Sequence, residues 1–318
     1  MTRREILLAG LAGWLGHRRL RADQAPQPSQ INFDVPSGAC DCHTHIFGDP
    51  RKFPFFAGRV YTPPPALPEE MATLHRALHI QRVVIVTPSV YGTDNSATLY
   101  GMKARGRDAR GVAVIDEKTP EHELDSMDRA GVRGVRLNLT TSGIADPKTG
   151  RDRFAAAVER VQRRGWHVQM NTNPAMIAAI KDLAASSPVP VVFDHFGGAR
   201  ADGGPSQPGF ADLVELVRSG RAYVKLSGAY RALSAPSQAP DVLLLAQTLI
   251  AANPDRILWG TDWPHPDSAP WPGRKPTDVA PPLPVDDGRL LNLLPTWAPD
   301  PAIRLKILVT NPAMLYGF

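Results

Sequence analysis

The chain is poor in cysteine, with two in 318 residues, Cys40 and Cys42. A single pair cannot form the framework of a disulfide-stapled secreted domain. Two residues apart on an extended strand, these thiols sit near the upper distance limit for a bridge, with poorly aimed Cβ vectors. Long apolar runs are also missing. The N-terminal run from Ile6 to Leu15 falls far short of the ~20 residues that span a bilayer, which excludes stable insertion there. Charge of one sign is scarce too. Lysine and arginine (36) exceed aspartate and glutamate (31) by five. Much of the excess lies in Arg3, Arg4, Arg18, Arg19 and Arg21, ahead of Asp23. The body is close to neutral and carries no aromatic-interleaved basic stripe, so nucleic acid is excluded as a partner.

Proline, by contrast, is abundant. Its 32 residues concentrate in connections such as TPPPALP and SAPWPGRKPTDVAPPLP, which suits long, stiffened functional loops. The N-terminus has the form of an address. Thr2-Arg3-Arg4 followed by a short apolar run resembles a twin-arginine export signal, which implies a periplasmic protein. The alternative is an uncleaved amphipathic helix on a cytoplasmic one. Residues 23–37 read as a Pro/Gln/Ser linker. The chain therefore divides into a signal and linker over 1–30 and one folded unit over 31–318.

Eight short β-rich segments recur after the linker: Gly38–His45, Arg82–Thr87, Gly111–Ile115, Val132–Leu139, His167–Asn171, Val189–His195, Tyr223–Leu226 and Ile257–Thr261. Stretches of helical period separate most of them, and PDPAIRLKILVTNPAMLYGF closes the chain as a last helix. Unbroken apolar runs such as VVIV and PVVF are those of strands covered on both faces, as in parallel sheets. Eight strands alternating with helices predict an α/β fold of the (β/α)8 TIM-barrel type. A dinucleotide-binding sheet is excluded, because the residues after the first strand, Cys42 to Gly48, contain one glycine and no phosphate fingerprint.

In such a barrel the chemistry sits at the C-terminal strand ends and the loops that follow. Those ends carry His43 and His45, Ser89 and Tyr91, Asp116, Arg136 and Asn138, Gln169 and Asn171, Asp194 and His195, Ser227, Tyr230 and Arg231, and Asp262 and His265. So many ionisable groups on one rim are costly for stability and mark a catalytic mouth. Strand alternation puts Asp41, His43 and His45 on one face and Cys40, Cys42 and Thr44 on the other. If the histidines face the barrel axis, the cysteines face the helices. Arg136, inside a strand, needs a buried carboxylate or an acidic substrate.

The pieces DCHTHIFG, RVYTPP, VVIVTPSVYGTDN, ARGVAVID, GVRGVRLN, VVFDHFGG, YVKLSGAYR, ILWGTDWPHP and NPAMLYGF, in this order, resemble the amidohydrolase superfamily. Within it they are similar to the subgroup of the 2-pyrone-4,6-dicarboxylate lactonases, over nearly all of Gly38 to Phe318. The resemblance implies a hydrolase that opens the lactone ring of a small anionic carboxylate-bearing molecule. It places Asp262 as the general base for water, and His43, His45 and His195 as the groups that polarise the carbonyl. It makes Arg136 and Arg231 the grips on substrate carboxylates, with Tyr61 and Ser89 as further contacts. One departure stands out. The subgroup has an arginine shortly after the strand-6 histidine; here, in HFGGARADGG, Gly198 holds that place and Arg200 follows. The second carboxylate clamp is thereby weakened.

A bridged two-metal centre needs a lysine or glutamate on strand 4 and a histidine on strand 5. This chain offers Arg136, a fixed cation, and Gln169 and Asn171. The subgroup implies metal-free hydrolysis, so no cofactor is expected. The alternative is one Zn²⁺ on His43, His45 and Asp262, with His195 as a further candidate. Two other readings remain open: a metal-dependent decarboxylase or lactone isomerase on the same barrel, and a periplasmic carboxylate-binding protein. Homo-oligomerisation is left open as well.

Overall fold

The computed structural model describes residues 27–233, 242–269 and 271–318. The expected export signal, apart from residues 27–30, lies outside the described residues. Eight parallel strands run in chain order: β1 Cys40–Thr44, β2 Arg82–Val86, β3 Ala109–Ala113, β4 Val132–Asn138, β5 His167–Asn171, β6 Val191–Phe193, β7 Ala222–Ser227 and β8 Ile257–Gly260. Between them lie α1 Pro68–Ala77, α2 Ser96–Arg105, α3 Glu121–Ala130, α4 Pro147–Val161, α5 Pro174–Ser186, α6 Phe210–Arg218 and α7 Leu243–Ala252. The fold is a (β/α)8 barrel. Local chemistry starts several helices: Asp146 caps the Lys148 and Thr149 amides and Asn173 caps Met176, each followed by a proline in the first turn. No helix among the described residues is long and apolar enough to cross a membrane.

The apolar residues form two layers. Outward strand residues such as Val83, Ile85, Val191 and Phe193 join the helices in the large core. A smaller cluster of Cys40, Cys42, Val84, Val86, Val112, Val192, Tyr223, Leu258 and Tyr316 fills the barrel itself. The cysteines therefore line the barrel interior, which corrects the expectation that they face the helices. The cause is a bulge. Asp41 pairs with Val83 but Thr44 with Ile85, so β1 spends one residue more than β2 between them. Alternation resets, and Cys40, Cys42 and His43 all turn inward. Asp41 turns outward to α1, where its carboxylate meets His75 at 3.2 Å.

Two more segments differ from expectation. The last helix is broken into a short α-helix over Pro301–Leu305, a π turn over Lys306–Thr310 and a further α-helix over Asn311–Tyr316. Pro312 has no N–H to continue the regular ladder. The segment read as linker is fastened to the barrel from Ser29 on. Ser29 donates to Asp286 and the Asn32 amide to Asn292. Gly288 of α8 (Asp287–Asn292) allows the approach, since a Cβ there would lie 2.0 Å from the Ser29 carbonyl.

Candidate active site

The site is built on the seam where β8 meets β1. The Asp262 amide donates to the His43 carbonyl at 2.8 Å, and the His45 amide to Trp263 at 2.8 Å. From outside the barrel Asp41 clamps the seam, accepting from the His43 amide (3.1 Å), the Thr261 amide (3.0 Å) and the Thr261 hydroxyl (2.5 Å). The strands approach so closely that a Cβ on Gly260 would lie 2.8 Å from the His43 nitrogen. Asp262 (φ 68°) and His195 (φ 51°) both sit in the left-handed region, a cost that active sites tolerate when the surroundings fix it.

Asp262 is fully buried and its two oxygens differ. Oδ2 accepts from the Tyr230 hydroxyl at 2.6 Å and from Arg231 Nε at 2.5 Å. Oδ1 has no hydrogen-bond partner, and faces the Nε2 atoms of His45 (3.5 Å), His43 (3.6 Å) and His195 (3.9 Å). Burial alone would raise this carboxyl; Arg231 and the surrounding imidazoles outweigh it and hold it well below the usual range. Burial would likewise lower Arg231, yet its pairing with Asp262 raises it. Both groups stay charged at neutral pH.

Each Nδ1 has partners of its own. His45 Nδ1 lies 2.8 Å from the Val86 carbonyl. His195 Nδ1 is 3.3 Å from the Ser227 carbonyl, with the Ser227 hydroxyl at 3.0 Å. His43 Nδ1 is 3.1 Å from Asp194 Oδ1. The Val86 carbonyl only accepts, so His45 Nδ1 carries the hydrogen and its Nε2 turns a lone pair toward Asp262 Oδ1, whereas His43 Nδ1 also lies 3.4 Å from the Lys225 ammonium, which only donates. Burial lowers His195 to about 4 and drives His43 well below its ordinary value, which keeps both rings neutral at pH 7.

The same donor set fits one divalent cation. His43 Nε2 and Asp262 Oδ1 are buried without hydrogen-bond partners, and His43, His195 and Asp262 bring one ligand atom each within 4.8 Å of one another. His195, the further candidate, belongs to this set, while His45 lies outside it although its Nε2 is 3.5 Å from Asp262 Oδ1. The ligands of a second, bridged ion are not offered by β4 or β5, where Arg136, Gln169 and Asn171 stand.

Arg136 is buried, and its Nε donates to Asp194 Oδ2 at 2.9 Å. It also lines, with Ser89 and Asn138, a cavity of about 720 Å³ between the loops after β2, β3 and β4. Arg231, expected to grip a substrate carboxylate, has Asp262 as its first partner and a side chain 26% exposed. Tyr61 is buried near Arg231 and Arg136, and burial pushes its hydroxyl up to about 12, tempered first by the Arg231 cation and then by Ser89. All eight candidate residues thus converge on one rim. Gly198 (φ 73°) has no room for a side chain, because a Cβ would lie 2.2 Å from the Thr172 carbonyl. Arg200 instead donates to the Arg231 carbonyl at 3.1 Å. Sequence reasoning missed Lys225, fully buried beneath His43. Its signal was a lysine inside the apolar strand YVKLSG.

The amidohydrolase family matches residues 40–318. This chain belongs to the amidohydrolase family. Over 300 residues it is 36% identical to a 4-sulfomuconolactone hydrolase of Rhizobium radiobacter, with 93% of this chain and 94% of that protein covered. Over 313 residues it is 33% identical to a 2-pyrone-4,6-dicarboxylate hydrolase of Comamonas testosteroni, with 96% of each covered. The crystal structure of an apo protein from Agrobacterium tumefaciens superposes with a TM-score of 0.74 at 28% identity, covering 91% of this chain and 98% of that one.

Proposed function

We propose that this amidohydrolase hydrolyses the ring ester of a small lactone bearing a carboxylate or similar anionic group. The observation that carries the reading is the partnerless Oδ1 of Asp262, ionised, buried and aimed at three imidazole nitrogens. A water there donates one hydrogen to Oδ1 and the other to a facing Nε2, which leaves an oxygen lone pair for the carbonyl carbon. As the water attacks, Asp262 takes its proton and the carbonyl becomes an oxyanion. The oxyanion collapses, the ring C–O bond breaks, and Asp262 returns the proton to the leaving oxygen. One water is consumed and one hydroxy acid, or its keto tautomer, is released.

Arg231 and Tyr230 keep Oδ2 occupied, so proton transfer is confined to Oδ1. Of the charged groups in direct contact with Asp194 and Asp262, Arg136, Arg231 and Lys225 are three cations against these two carboxylates, an excess of one positive charge at the mouth. That excess favours an anionic substrate and an oxyanion, with Tyr61 and Ser89 as the nearby hydroxyls. A divalent cation, if bound, would be held by His43, His195 and Asp262 with His45 alongside, and would supply Lewis-acid polarisation of the carbonyl. The names of the two hydrolase relatives support the substrate class. The twin-arginine sequence supports action after export.

The test is a panel of γ- and δ-lactone carboxylates in H₂¹⁸O, assayed as purified, after chelation and after Zn²⁺ addition. Hydrolysis places one ¹⁸O in the new carboxylate. Isomerisation without label, or binding without turnover in every arm, would overturn the reading.

A further inference from the structure

The cavity of about 720 Å³ between the loops after β2, β3 and β4 is larger than a lactone needs. A bare lactone ring with one carboxylate has about nine heavy atoms. At roughly 30 Å³ each, the share of a water in the liquid, it would fill little more than a third of such a space even if it lay wholly inside. Arg136, itself buried, lines the cavity. Among the described residues its guanidinium makes one hydrogen bond, from Nε to Asp194, so the two outer nitrogens keep their donors for what enters. Ser89 lines the cavity as well and lies beside Tyr61, whose neighbours include Arg231 and Asp262, so the cavity adjoins the reacting centre. Its wall carries two large apolar side chains at half exposure, Phe56 at 52% and Val60 at 48%, together with Ile115 and Leu137. Phe56 is fixed there. Its amide donates to the Val90 carbonyl at 2.8 Å, and its ring packs on two glycines: a Cβ would lie 2.7 Å from it at Gly58 and 3.2 Å at Gly92. Arg59 holds the same turn, donating to the Phe56 carbonyl at 3.2 Å and to the Thr62 hydroxyl at 2.7 Å. Several charged residues of the lining are engaged elsewhere: Asp116 with the amides of its own turn, Asp152 with Lys148 and Arg160 with Glu121.

Apolar residues scattered over a surface require no occupant, but a clamped aromatic and its apolar neighbours on the wall of one cavity mark a place for apolar surface. We propose that this cavity is a subsite for a bulky apolar substituent of the substrate, an aryl or alkyl arm carried next to the carboxylate that Arg136 faces. The substrate class narrows to lactone monocarboxylates with such an arm. The loss of the second clamp agrees with a single carboxylate, since Gly198 leaves no room for an arginine side chain. The proposal rests on the reading of the site as a lactone hydrolase. Phe56 and Val60 are specificity residues in it and touch no reacting atom. Their contacts with the arm are the same before and during ring opening, so they lower KM and leave kcat alone.

The test uses the full-length protein and a series of γ-lactone carboxylates that bear hydrogen, methyl, hexyl or phenyl on the carbon holding the carboxylate. For hexyl and phenyl, KM is expected to fall about 10–100-fold below the unsubstituted compound, with kcat within about threefold. Phe56→Ala should erase most of that gain and leave both constants of the unsubstituted lactone within about threefold of wild type. Equal KM along the series, or a Phe56→Ala effect of the same size on every member, would overturn the proposal. If Phe56→Ala does not fold, Val60→Asp decides. It sets a carboxylate against the arm at a half-exposed position, so the gain for hexyl and phenyl should vanish, and its persistence refutes the subsite. If the wild type opens no lactone, the hydrolase reading fails and calorimetry separates the two. The ring-opened hydroxy acids with and without phenyl are then titrated into wild type and Phe56→Ala. Tighter binding of the phenyl acid by wild type alone supports the subsite, and equal binding refutes it.

Discussion

Asp262→Asn separates catalysis from structure at the centre of the site. The amide keeps the shape of the carboxylate and can still accept from the Tyr230 hydroxyl. It cannot take a proton from water, so kcat should fall by ~10²–10⁴, the usual contribution of a general base. It also leaves Arg231 without its counter-ion. Breaking a fully buried ion pair costs about 3–5 kcal/mol, but the Arg231 side chain is 26% exposed and water can reach it. A cost of about 1–3 kcal/mol is therefore expected, which lowers Tm by roughly 2–8 °C for a domain of this size. The assays are ring opening of a lactone carboxylate under saturating substrate and thermal unfolding of the same samples. Arg231→Met alone should destabilise as well, by stranding a buried carboxylate. In Asp262→Asn/Arg231→Met part of the loss should return, because neither charge is left unpaired. Turnover by Asp262→Asn within about threefold of wild type would refute the assignment of the base. Strictly additive stability losses would refute the pairing argument.

Other outcomes follow from the same geometry. Zn²⁺ titration should reach no more than one equivalent per chain, and binding should be lost in Asp262→Asn; two equivalents would contradict the ligand inventory of β4 and β5. His167, buried at the start of β5, is lowered by burial to about 3. In the unfolded chain it protonates near pH 6.5, so stability is full above that value and is lost as pH falls toward 3, by about 5 kcal/mol for this group. Denaturant unfolding at pH 7 and pH 4 measures the loss, and in His167→Leu the slope between them should flatten. Gly260→Ala should cost more than 2 kcal/mol and lower kcat, since the added methyl meets the His43 backbone, which cannot yield like a side-chain tip. A variant of wild-type stability would show that the seam is looser than drawn.

Much of the architecture could be read from the chain before any coordinates. β5 was placed to the residue, and the other seven strands within two residues at each end. Strand composition and helical period are local properties, and an eightfold alternation admits few closures. The eight candidate residues also share one rim in the structure, because the C-terminal strand ends of a barrel converge whatever their sequence. Harder to read was the direction of each side chain at β1. A bulge of one residue reverses alternation, and it arises from pairing with β2, a neighbour some 40 positions away.

The sequence by itself determined the barrel, the family resemblance and the identity of the acid, base and cationic groups at its mouth, since these depend on residue type and order. Tertiary structure alone decided which partner each group takes. It gave Arg231 to Asp262 and Arg136 to Asp194, turned three imidazole nitrogens to one oxygen, put Lys225 beneath His43 and brought the two cysteines into the barrel. Those choices depend on distances of a few ångströms between strands far apart in the chain, and on hydrogen bonds whose direction is fixed only when every donor and acceptor around them is in place.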